Sequence, residues 1–171
     1  MDAGDPFDET TGFRVFVALD GSLASLAALR RAVGEARLRD AHLVAVRVLS
    51  GSGALRDLDG CEEDLQRARD TVWTAFEEAL GQVPEDLDIS AMALRGGAGA
   101  TLVDLADRAD DLIVLGVGDP RPLRRWRARV TARHCVAHAG CPVLAVPLPH
   151  HLRALSRTRL RPRDVDRLLP D

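Results

Sequence analysis

Five short apolar runs, separated by four stretches of helical periodicity, constrain this chain more than any other feature. The runs are Arg14–Leu19 (RVFVAL), His42–Leu49 (HLVAVRVL), Asp88–Leu94, Asp111–Leu115 and Pro142–Val146. Between them, apolar residues recur three and four apart. Leu26, Leu29, Ala32, Val33 and Ala36 predict a helix over 23–39, and Leu65, Ala68, Val72, Phe76, Ala79 and Leu80 predict one over 62–80. Trp73 falls near that second apolar face and reads as core. Leu102, Leu105 and Ala106 predict a short helix over 100–109, and a fourth covers 130–138. Strands that are apolar along their whole length, rather than alternating, are buried on both faces. The pattern is therefore α/β, with a parallel sheet sandwiched between helices. Right-handed crossovers reduce the possible topologies to a few open, doubly wound orders.

At 171 residues the chain suits one domain with a tail. No apolar run approaches the roughly 18 residues that span a bilayer, so no membrane partner is expected. Residues 1–12 are acidic and read as a flexible N-terminus without the character of a secretory signal. Cys61, Cys135 and Cys141 do not form a disulfide framework, which favours a reducing, cytoplasmic setting. The net charge of −3 hides an asymmetry: 57–88 holds eleven acids and two arginines, whereas 119–171 holds twelve arginines and four acids. Such a split can steer an anionic partner. Aromatic residues for base stacking are few, so nucleic acid is not the expected partner. Residues 148–171, with Pro149, Pro162 and Pro170 among six arginines, read as an extension beyond the repeat, with one helical turn or two at 150–156.

The chemistry concentrates at Leu112–Asp119, where a buried strand runs into Gly116 and Gly118. A glycine turn at a strand end lets the backbone approach a phosphate. Beyond it come Pro120, Arg121, Pro122, Arg124, Arg125, Arg127 and Arg129, which predict an exposed, mobile, arginine-rich loop up to Val130. Gly96, Gly97 and Gly99 read as a scaffold turn. His134, Cys135, His138 and Cys141 have the composition of a metal set, but Cys135 projects away from His134 on a helix, and no metal is expected. The sequence displays no Ser-His-Asp, Cys-His or paired-carboxylate signature, so it does not argue for an enzyme, with slow ATP hydrolysis as the upper limit.

Taken together, VALDGS (Val17–Ser22), HLVAVRVL, RGGAG (Arg95–Gly99), LIVLG (Leu112–Gly116) and HAGCPVLAVP (His138–Pro147) resemble the universal stress protein family over residues 13–147. The resemblance implies a five-stranded parallel sheet of order 3-2-1-4-5, of the adenine nucleotide alpha hydrolase type, usually in a homodimer. That order creates a switch point between the first and fourth strands, where open α/β sheets bind ligands. Members that bind ATP or AMP carry Gly-x2-Gly-x9-Gly-Ser/Thr after the fourth strand. Here Gly116 matches the first glycine, Asp119 occupies the second position, and Arg129–Val130 replaces the Gly-Ser/Thr pair, with Thr131 one place late.

The expected site thus comprises Ala18 and Asp20 on the first strand's end, Val48 on the second, and Gly116, Gly118, Arg124, Arg125 and Thr131 around the fourth. Asp20 suits either a ribose or the cap of the following helix. Asp119 is expected to set a carboxylate among the phosphates. The reading is a non-enzymatic stress-response module, homodimeric through Val143, Leu144, Ala145 and Val146, acting on an unknown protein partner. It needs no cofactor and has weak or no affinity for ATP. The alternative is an ATP/AMP sensor whose arginine loop holds the phosphates; a third class is anion or nucleic-acid binding through the basic tail.

Overall fold

The computed structural model describes residues 12–49 and 58–149. The acidic N-terminus and the 150–156 helical turn therefore lie outside the described residues, as does most of the extension. Five strands alternate with four helices: β1 (Arg14–Ala18), α1 (Leu23–Arg39), β2 (His42–Leu49), α2 (Leu58–Leu80), β3 (Ile89–Arg95), α3 (Ala98–Leu105), β4 (Leu112–Val117), α4 (Pro122–His138) and β5 (Val143–Pro147). All pairings are parallel and the sheet order is β3-β2-β1-β4-β5, as the sequence pattern and the resemblance imply.

The continuous apolar character of the strands now has its cause. Val15 and Val17 of β1, Leu43 and Ala45 of β2, and Val114 of β4 face a layer made by α1 and α2. Phe16, Val44, Val46, Ile113 and Leu115 face the opposite layer, with Leu102 of α3 and Cys135 of α4. The sheet-facing side of α1 is built largely from alanine (Ala24, Ala28, Ala32, Ala36), which lets the helix axis lie close to the strands. The helix starts at a reciprocal cap: Ser22 Oγ accepts the Ser25 N–H, and Ser25 Oγ accepts the Ser22 N–H.

Two expectations are corrected, the loop before α4 and the place of Trp73. The loop thought to reach Val130 is mostly helix, because α4 begins eight residues earlier, at Pro122. Proline fits the first helical turn, where its absent N–H would have had no intrahelical acceptor. At the end of β5, Pro147 pairs in register with Val117, the Leu148 N–H reaches the Val117 carbonyl at 3.0 Å, and Leu148 is buried. Trp73 is a rim residue, 37% exposed, with its ring 5.9 Å from that of Phe76.

Candidate functional site

At the carboxyl ends of the strands, between β1 and β4, a cavity of about 310 Å³ opens where the strand order reverses. Its floor is Ala18, Leu19, Val46, Val48, Leu115 and Gly116, and α4 closes one side with Arg124, Arg127, Ala128 and Thr131. Of the residues expected from sequence, Ala18, Asp20, Val48, Gly116, Arg124 and Thr131 line it. Gly118 and Arg125 do not: Gly118 makes the turn after β4 with φ +89°, and Arg125 is exposed along α4. Arg47 and Arg127 line the cavity and were not singled out. Arg127 lies one turn after Arg124 on the same helix, a signal legible in the sequence, whereas the place of Arg47 depends on how β2 packs beside β1.

Asp20 Oδ1 accepts the Ser22 N–H at 2.9 Å, so the carboxylate orders the entry to α1 while lining the cavity. Arg124 spans the mouth: its Nη1 donates to the Gly21 carbonyl at 2.9 Å. Gly21 is held at φ +73°, a conformation that an L side chain rarely adopts.

Asp119 behaves differently from expectation. Its side chain is buried and accepts the Arg121 N–H at 2.8 Å, as an Asx-turn ahead of α4, instead of projecting into the cavity. The effect on a phosphate is still unfavourable, by another route. Pro120 and Pro122 have no N–H, and the Arg121 N–H is already taken, so the start of α4 has few backbone donors left to offer an anion. Arg129 and Val130 sit well inside α4 and are exposed, away from the position at which a Gly-Ser/Thr pair would cradle phosphate.

The other chemistry-bearing residues lie apart from this cavity. The His134 and His138 rings stack with centroids 4.3 Å apart, and the buried Cys135 thiol faces the Gly99 carbonyl at 3.8 Å. Burial pushes the Cys135 thiol up to about 11, which keeps it protonated and unreactive near neutrality. No group of three His, Cys, Asp or Glu side chains converges on a metal position among the described residues.

A Ser-His-Asp chain, absent as a sequence signature, does form. His42 Nε2 lies 2.9 Å from Ser90 Oγ, and its Nδ1 lies 2.6 Å from Asp88 Oδ2. It sits on the amino ends of β2 and β3, at the opposite end of the strands from the cavity, with the Asp88 side chain 77% exposed. It ties the edge strand β3 to its neighbour.

An open, doubly wound parallel sheet with a cavity at its switch point defines the α/β class of this domain. The universal stress protein family model matches residues 13–147, and the chain belongs to that family. Similar solved structures include UspA from Lactobacillus plantarum, 26% identical with TM-score 0.59, covering 78% of this chain and 97% of that one. The universal stress protein of Archaeoglobus fulgidus is 24% identical, with TM-score 0.54 and coverage of 79% and 97%. An Arabidopsis thaliana family protein with AMP bound is 16% identical, with TM-score 0.52 and coverage of 82% and 94%; these last two show the shared fold. Comparison with the curated proteins gives no match. No helix among the described residues is long and apolar enough to cross a membrane.

Proposed function

We propose that this protein is a regulatory binding module whose switch-point cavity takes a nucleoside monophosphate, held by arginine side chains in place of a glycine-rich backbone cradle. The observation that carries the reading is the set Arg47, Arg124 and Arg127 around one small cavity. Guanidinium groups form forked, charge-assisted bonds to phosphate oxygens, so they substitute for backbone N–H groups withdrawn by Asp119, Pro120 and Pro122. A volume of about 310 Å³ is at the small end of ligand sites, which favours one phosphate over three. Val48 and Leu49 supply the apolar wall that a base requires, and Thr131 a hydroxyl. Complexes of universal stress proteins with cAMP and with AMP are among the similar structures, in keeping with this ligand class.

Titration calorimetry with AMP, ATP and adenosine tests the proposal. AMP is expected to bind more tightly than ATP, whose dissociation constant should exceed about 0.1 mM, an affinity under roughly 6 kcal/mol. Each lost bond to a charged group is worth about 1.5–3 kcal/mol, so Arg124→Ala with Arg127→Ala should weaken AMP at least about 100-fold and leave adenosine little changed. Micromolar ATP binding indifferent to those substitutions would overturn the arginine clamp.

The proposed dimer joins the free edges of two β5 strands. Pro142 O and Leu148 N bond toward β4, so by alternation Val143 and Ala145 turn their N–H and C=O groups to the open edge. Antiparallel pairing about an axis through Leu144 would satisfy those groups in both copies, and Pro147, which lacks an N–H, marks the end of pairing. Leu144 packs partly against the core under α1, so changing it would disturb the monomer as well. Ala145→Pro is the cleaner test: it deletes an N–H that β4 does not use. Sedimentation equilibrium should show monomers of unchanged helical content. Dimers that persist in Ala145→Pro would exclude this edge.

A further inference from the structure

We propose that the outward face of α4 docks the protein on an anionic lipid surface. The face is defined by Leu123, Trp126 and Val130, spaced three and four residues apart and therefore in one row. They are 61%, 63% and 49% exposed, while Cys135 of the same helix faces the sheet and is fully buried. Large side chains of this kind on a surface helix mark a contact site when they are contiguous. Arg125, Arg129 and Arg133 lie beside the row, α4 contains no acidic residue, and none of these three arginines has a carboxylate partner among the described residues. An apolar row with Trp near its centre and a band of cations along one side suits contact with an anionic headgroup layer.

Two considerations favour lipid over the other acidic partners. Leu123 and Val130 gain nothing from a nucleic-acid backbone, whereas they gain from acyl chains. The second consideration is long-range. The acid-rich α2 packs with α1 on the other side of the sheet, so the five arginines of α4 lie on one face, and the acids of α2, partly offset by Arg30, Arg31, Arg37 and Arg39 of α1, lie on the other. Such a charge distribution is oriented by an extended anionic plane, which attracts α4 and repels α2 together, more than by a short acidic peptide. The expectation of no membrane partner rested on the lack of a spanning run, which does not bear on a helix lying at the surface.

The test is co-sedimentation of the full chain with phosphatidylcholine vesicles, with and without about one third phosphatidylglycerol. Binding is expected to the anionic vesicles alone and to fall as salt is raised. In a Trp73→Phe background, Trp126 emission should shift to the blue on binding. Removing three arginines (Arg125→Gln, Arg129→Gln, Arg133→Gln) should lower partitioning about 100-fold, at roughly five-fold per charge. Leu123→Ser with Trp126→Ser should lower it about ten-fold or more, with circular dichroism unchanged because both side chains face solvent. Absence of binding at low salt overturns the proposal. So does binding that survives Leu123→Ser with Trp126→Ser, which would assign it to charge alone, or binding to duplex DNA where vesicles are ignored.

Discussion

Gly116→Ala is expected to destabilise the protein by about 3 kcal/mol, at the upper end of what overpacking costs, even with the cavity empty. A Cβ built on Gly116 would stand 2.2 Å from the Ala24 carbonyl oxygen and 2.7 Å from the Ser25 nitrogen. Both are backbone atoms in the first turn of α1, and that turn is fixed by the Ser22–Ser25 cap, so no rotamer change relieves the clash. Relief requires moving α1 away from β4, which opens a layer built on close alanine contacts. Sequence reading takes this glycine as the place where backbone meets phosphate. The structure adds that it is first the place where a helix meets a strand. The two roles separate experimentally: urea unfolding of the ligand-free variant should show the full loss, with the slope against denaturant unchanged. A variant as stable as the parent but defective in AMP binding would assign Gly116 to the ligand alone.

The legible and illegible parts of this molecule divide along a physical line. The alternation of strands and helices was readable because burial on both faces writes itself into consecutive residues such as Val15–Val17 and Leu43–Val46. The start of α1 was readable because Asp20, Ser22 and Ser25 act on backbone within a few residues. The extent of α4 was misread because prolines and arginines look like loop, while Pro122 at the first helical position and arginines projecting to solvent are compatible with helix. The spacing from Gly116 sets Asp119 at the phosphate position, but its orientation is set by the Arg121 N–H two residues on. Arg47 was missed for the opposite reason: its role depends on β2 lying beside β1 at the cavity, which is a tertiary fact. The His42–Asp88–Ser90 chain likewise depends on the β2–β3 register, which places residues more than forty apart within hydrogen-bonding reach.

Arg14→Leu is expected to cost about 3–5 kcal/mol, the penalty for stranding one charge of a buried pair. Arg14 opens β1, yet it is only 4% exposed. Its Nε and Nη2 fork onto the two oxygens of Asp111 at 2.9 and 2.6 Å, and Nη2 also reaches Asp107 at 2.6 Å. The guanidinium lies 5.2 Å from the centroid of the Phe16 ring. Asp111 is as buried as its partner and accepts one further bond, from the Arg108 N–H at 3.0 Å. Without Arg14, that amide alone among the described residues would be left to hold a buried carboxylate at the point where β4 begins. Arg14→Lys should recover only part of the loss, because an ammonium cannot span both oxygens. Arg14→Leu combined with Asp111→Leu should return most of it, since a pair of apolar residues needs no compensation for desolvation. The Arg14 hydrogen bond holds the Asp107 carboxyl below the usual carboxylate range, so its share of stability is present above the ordinary aspartate pKa and is lost as pH falls through the depressed one. Urea unfolding of the parent, Arg14→Leu, Asp111→Leu and the double variant forms a cycle that isolates the pair. Equal stabilities of parent and Arg14→Leu near neutral pH would show that the fork contributes nothing, and a double variant no better than Arg14→Leu would show that desolvation is not what the pair offsets.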